Sequence, residues 1–101
     1  MNLYGLSKEH FNLLNDLAVT PLKKAKCKVW IFGSRASNTY QKFSDIDLLY
    51  EASEELKLNF IYKIKTELEE SNLPVKVDLV NVKTLAESYQ ADVLRSRIQI
   101  A

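Results

Sequence analysis

Three short groups of residues carry the means for phosphate chemistry: Gly33-Ser34, the pair Asp45 and Asp47, and Asp78. Asp45 and Asp47 open an apolar run, Ile46 to Tyr50, that reads as a strand. Side chains two apart on a strand share a face, so the two carboxylates project together while Ile46 and Leu48 turn to the core. Side by side, each raises the other's pKa unless a cation intervenes. Magnesium suits such a pair, because it takes hard oxygen ligands from carboxylates, water and substrate phosphates. Gly33-Ser34 follows a second apolar run, Val29 to Phe32, and Arg35-Ala36-Ser37 can begin a short helical turn. Amides at the start of such a turn attract phosphate, glycine lets them approach it, and the Ser34 hydroxyl adds a donor. Arg35 offers a further positive charge, or else a contact to solvent or a partner.

Ten residues separate Ser34 from Asp45. Acidic pairs at strand ends and Gly-Ser pairs are each common. Their conjunction is specific: a glycine after an apolar strand, this spacer, two aspartates opening another apolar strand and an aspartate within a third. It implies a site that holds a nucleoside triphosphate with its metal ions and transfers a nucleotide. Three carboxylates suffice for two metal ions about 3.5 to 4 Å apart.

For these groups to meet, the end of the first strand must adjoin the start of the second, which requires an antiparallel pair. The third strand, Val75 to Val80, alternates Val75, Val77, Leu79 against Lys76, Asp78, Val80. As a neighbour of the second strand it would bring Asp78 beside Asp47. Ser7 can cap a first helix from Lys8 to Val19 that Thr20-Pro21 ends. Ser53 can cap a second, with Glu54 and Glu55 in its first turn and a buried stripe of Leu56, Phe60, Ile61, Ile64 and Leu68. Asn72, in a left-handed conformation, and Pro74 would stop it. Thr84 can cap a last helix to about Arg97 with Leu85, Tyr89 and Val93 on one side, and Ile98-Gln99-Ile100 reads as a short edge strand. The first strand, apolar on both faces, belongs at the centre. The expected fold class is α/β (α+β), one domain over residues 1–101 with a small mixed sheet of three or four strands flanked by helices.

The chain has 101 residues, 47% hydrophobic, enough for one core and little for a deep enclosed pocket. A formal charge of +1 gives no sign of bulk nucleic-acid binding. Lys23, Lys24, Lys26 and Lys28 lie mostly at the far end of the first strand from Gly33, and read as a solvated edge or a partner-binding patch. The lone cysteine, Cys27, excludes an internal disulfide and reads as a core residue, and His10 as a surface residue. Without a signal peptide or a long apolar run, the expected setting is cytoplasmic, with no membrane partner.

The segments VWIFGSRAS, SDIDLL and VKVDLV, with a leading and an intervening helix, resemble the minimal nucleotidyltransferases, the small branch of the DNA polymerase β-like nucleotidyltransferase superfamily. The resemblance implies a nucleotidyltransferase fold in which Gly33 and Ser34 meet the triphosphate and Asp45, Asp47 and Asp78 are catalytic and hold Mg2+, two ions in all; Arg35, beside them, is a nucleotide-binding candidate by its charge and place. The family commonly has glycine where this chain has Asn38; asparagine is among the residues that best tolerate positive φ. The resemblance further implies an antitoxin that pairs with a helical HEPN-domain toxin and transfers AMP from ATP to a tyrosine of it. Two other readings stand beside this one. In one the chain neutralises or scaffolds a helical partner by contact alone, through tyrosines such as Tyr4, Tyr40, Tyr62 and Tyr89. In the other it acts on a small molecule with a separate acceptor-binding subunit.

Overall fold

The apolar run before Gly33 forms strand β1, Cys27–Phe32, at the centre of a four-stranded mixed sheet. The computed structural model describes residues 3–101. The other strands are β2 (Ile46–Ala52), β3 (Val77–Asn81) and β4 (Ile98–Gln99), in the order β3-β2-β1-β4. β1 is antiparallel to both β2 and β4, and β2 is parallel to β3. Parallel neighbours need a crossover. It is supplied by α3, Phe60–Glu69, after α1 (Lys8–Leu14) and α2 (Thr20–Lys24) at the start of the chain and before α4 (Glu87–Ser96).

The two faces of the sheet differ in what covers them. Val29, Ile31, Ile46, Leu48, Tyr50 and Leu79 share one core with Leu14, Ala18 and Leu22 from the leading helix and Ile64 and Leu68 from α3. Burying side chains of this size contributes about 1.5 to 3 kcal/mol each, which fixes the register of all three long strands. Alternation then sends Phe32, Asp47, Asp78 and Val80 to the opposite face. There Trp30 and Leu49 are also buried, and the Arg97 guanidinium lies 3.9 Å above the Trp30 ring.

Several expected boundaries shift. The Ser7 hydroxyl caps α1, accepting from the His10 amide at 3.1 Å, but the helix does not stop at Thr20-Pro21. Asn15–Val19 is a π-helical turn, and its wider winding admits a residue that lacks an N–H, so helix continues to Lys24. Lys26, at φ 64, then breaks it.

Ser53 does not cap α3. Its hydroxyl donates to the Lys26 carbonyl at 3.1 Å, while the Lys26 ammonium lies 3.3 Å from Glu54, so the chain leaving β2 is tied to the start of β1 instead. Helix begins only after Asn59, at φ 72, and Glu54 and Glu55 lie outside it. The left-handed asparagines among the described residues are Asn38 and Asn59, not Asn72. β3 starts at Val77 rather than Val75. Thr84 donates to the Asn81 carbonyl at 2.9 Å within a short 3-10 turn, which leaves Ala86 to precede α4. Among the described residues no helix is long and apolar enough to cross a membrane.

Candidate active site

The end of β1 and the start of β2 meet because the strands are antiparallel, with Phe32 opposite Asp47. On the other side of β2, Asp47 is in register with Asp78 of β3. Adjacent strands lie about 4.8 Å apart and opposed residues share a face. The two carboxylates are therefore neighbours, one residue before the point where β1 turns away at Gly33. Gly33 has φ +75, and a Cβ placed on it would collide with the Asp47 carboxylate. Glycine is thus required twice, by backbone conformation and by space. The backbone then makes a 3-10 turn, Gly33–Arg35. The first amides of a helical turn have no partner within it and remain available to an anion.

Asp45 precedes the first residue of β2, two residues ahead of Asp47, and is exposed. Asp47 is half-buried, and its carboxyl is pushed up to about 6, first by burial, then by Asp78 and by Asp45, with Lys76 pulling the other way. Lys76, just ahead of β3, has its Nζ 3.4 Å from Asp78 Oδ1. The site therefore holds three negative groups against one nearby ammonium. Among the described residues no three His, Cys, Asp or Glu side chains converge to enclose a metal ion. The strands align Asp47 with Asp78 and leave Asp45 at the solvent edge.

Arg35 is 3% exposed. Its Nε and Nη2 both donate to the Ser44 carbonyl, at 3.1 and 2.9 Å, and Nη1 donates to the Tyr4 carbonyl at 2.8 Å. The guanidinium also sits over the Tyr40 ring, 5.2 Å from its centre. A guanidinium so engaged spans the motif loop from Gly33 to Asp45, and is not the solvent-facing charge that its place after Gly33-Ser34 suggested. Ser34 accepts the Thr39 amide on its carbonyl at 2.9 Å, Ser37 and Thr39 share a hydroxyl bond of 2.9 Å, and Asn38 takes φ 63. Asparagine is thus compatible with the turn at this position.

Three contributors were missed from sequence. Tyr4 and Gly5 buttress the loop from outside the motif, and a Cβ at Gly5 would meet Tyr40 and the Arg35 guanidinium. No periodicity links them to Arg35. Lys76 had a signal: in Lys76-Val77-Asp78 alternation already places it on the face of Asp78.

Along β3 runs an open groove of about 1040 Å³, lined by Asp47, Asp78 and Phe32 on the sheet and by Leu85, Tyr89 and Val93 on the side of α4. It is shallow and open, with room for a ligand much larger than a metal ion. Neighbouring carboxylates beside the start of a helical turn can hold a cation and an oxyanion at once, which is the demand that a metal–triphosphate complex makes.

Comparison with known proteins agrees with this geometry. The family model described as "Polymerase beta, Nucleotidyltransferase" matches residues 12–101. A curated relative, "Probable protein adenylyltransferase MntA" of Haemophilus influenzae, is 37% identical over 62 residues, which are 61% of this chain and 54% of that protein. The match therefore spans about half the length of the relative. A solved structure described as a minimal nucleotidyltransferase is 29% identical, with a TM-score of 0.71 over 99% of this chain and 97% of that one. A toxin–antitoxin crystal structure with AMP-PNP is similar in fold, with a TM-score of 0.65 and 24% identity over 84% of this chain and 70% of that one.

Proposed function

The chain belongs to the polymerase beta nucleotidyltransferase family, and on that premise we propose that it transfers AMP, or another nucleoside monophosphate, from a nucleoside triphosphate to a hydroxyl. We take the acceptor to be a tyrosine of a HEPN-type toxin partner, which makes this chain the antitoxin. The observation that carries the reading is the meeting of Gly33 with Asp47, and of Asp47 with Asp78, at one end of the sheet. The similarity to an adenylyltransferase and to toxin–antitoxin structures supports the choice of AMP and of a toxin partner.

In this reading Asp45, Asp47 and Asp78 hold Mg2+, as two ions. The donor chemistry fits. All three ligands are hard oxygens, and Asp47 is raised first by burial and then by negative neighbours, with Lys76 pulling the other way. The Lys76–Asp78 pair is no obstacle, because both side chains are substantially exposed, at 71% and 39%. Exposed pairs are worth about 0 to 1 kcal/mol, so Asp78 exchanges that partner readily for a divalent ion. When bound, magnesium neutralises the triphosphate and lowers the pKa of the acceptor hydroxyl.

The chain's own residues do the rest. The amides of the Gly33–Arg35 turn and the Ser34 hydroxyl receive phosphate oxygens and stabilise charge that builds on the α-phosphate and the leaving pyrophosphate. Arg35 acts one step removed, by fixing the loop that presents those amides. The groove beside β3 stays open for an acceptor carried by another protein. The test is transfer of label from ATP labelled at the α-phosphate to the co-purified partner. Asp45→Asn and Asp47→Asn are each expected to abolish it while still melting cooperatively. Undiminished labelling in both variants would remove the carboxylates from the mechanism.

A further inference from the structure

We propose that the chain is also its own substrate: Tyr89, on α4, accepts the nucleoside monophosphate that the site at Asp47 and Asp78 transfers. The inference rests on the transfer reading above and adds an acceptor within this chain.

Tyr89 lines the same groove as Asp47 and Asp78, the carboxylates coming from β2 and β3 and the tyrosine from the helix beside that face. Its side chain is 63% exposed. Its amide donates to the Ala86 carbonyl at 2.9 Å, and among the described residues its side chain has no hydrogen bond, ion pair, ring contact or electrostatic partner. A tyrosine kept for packing would be buried, and one kept for structure would bond its hydroxyl; Tyr89 does neither. The remaining tyrosines differ. Tyr50 is buried in the core, Tyr4 and Tyr40 are half-buried around the motif loop, and Tyr62, 71% exposed, lines another groove with Leu58 and Phe60 on α3.

α4 is suited to move its tyrosine. None of its residues is buried, so a small shift of the helix toward the carboxylates uncovers no core. The step is a phosphoryl substitution. Tyr89 Oη attacks the α-phosphorus and forms a new O–P bond, the bond from that phosphorus to the bridging oxygen breaks, and pyrophosphate leaves. The phenolic proton passes to solvent. The product is a tyrosine-linked phosphodiester, and no oxidant or further reactant is needed.

The purified chain is incubated alone with Mg2+ and ATP labelled at the α-phosphate, then resolved under denaturing conditions and mapped by peptide mass. Label is expected on the peptide that contains Tyr89. It should be lost in Tyr89→Phe and Asp47→Asn and retained in Tyr62→Phe. Tyr89→Phe keeps the ring, so any packing or base-stacking survives and only the acceptor oxygen is removed. In parallel, wild type and Tyr62→Phe are assayed with the co-purified HEPN-domain partner as acceptor, and both should label it. Label that persists on the Tyr89→Phe chain, or a labelled partner beside an unlabelled chain, overturns the inference and leaves the transfer reading standing. Failure to label either protein overturns both.

Discussion

Asp47 is the residue on which the site turns, because it touches every other part: Phe32 across one strand pairing, Asp78 across the other, and Gly33 at the turn. Its carboxyl titrates at about 6 rather than 3.8. The native state therefore holds that proton more tightly than the unfolded chain does. The stability so gained is fully present below about pH 4 and is lost as the pH rises through about 6. In the absence of divalent ions, the urea midpoint of wild type should fall over this range relative to that of Asp47→Asn, which cannot ionise. Parallel curves for the two proteins would show that Asp47 is not perturbed. Gly33 offers a second test. Alanine there must adopt a left-handed conformation, at about 1 to 2 kcal/mol, and must displace the Asp47 carboxylate. Gly33→Ala should lower both the melting temperature and nucleotide transfer. A variant that melts and transfers like wild type would mean that the turn is looser than the structure has it.

At the scale of elements, the strands were legible and the connections less so. Hydrophobic alternation located β1, β2 and β3 and put Asp47 and Asp78 on the face away from the core, because a one-residue slip would expose every buried side chain. Helix ends depend on single bonds that spacing does not show. Ser53 is drawn to the Lys26 carbonyl and Thr84 to the Asn81 carbonyl, so neither caps a helix, and a π turn carries the first helix past Pro21. The motif loop was half legible. Asn38 was read as a residue that tolerates positive φ and it takes it, whereas the buried fork of Arg35 depends on Tyr4, far away in sequence. Arg35→Ala strands the Ser44 and Tyr4 carbonyls and should cost about 2 to 3 kcal/mol, since hydrogen bonds to charged groups contribute that much. Arg35→Lys should recover only part, because an ammonium cannot fork to both carbonyls. Denaturation midpoints of the three proteins decide it, and equal stability of Arg35→Ala and wild type would refute the bracing role.

Across the whole molecule, the two faces of the sheet divide the work. One is packed by the leading helix and α3 and holds the fold together; the other carries the carboxylates beneath the loosely packed α4. Hydrogen exchange should follow this division, with amides of α4 exchanging faster than those of β1 and β2. Equal protection would show that α4 is part of the same cooperative core. The antiparallel pairing of β1 with β2 was required by the motif, whereas the parallel direction of β3 beside β2 rests on a crossover through α3 that no single motif specifies. The open groove is what an enzyme needs when its acceptor arrives on another protein. The most direct test is therefore transfer itself, measured with ATP labelled at the α-phosphate, Mg2+ and the co-purified partner. Wild type should label a partner tyrosine and Asp47→Asn should not, although it folds cooperatively. Equal labelling by both, or none by wild type, would contradict the account.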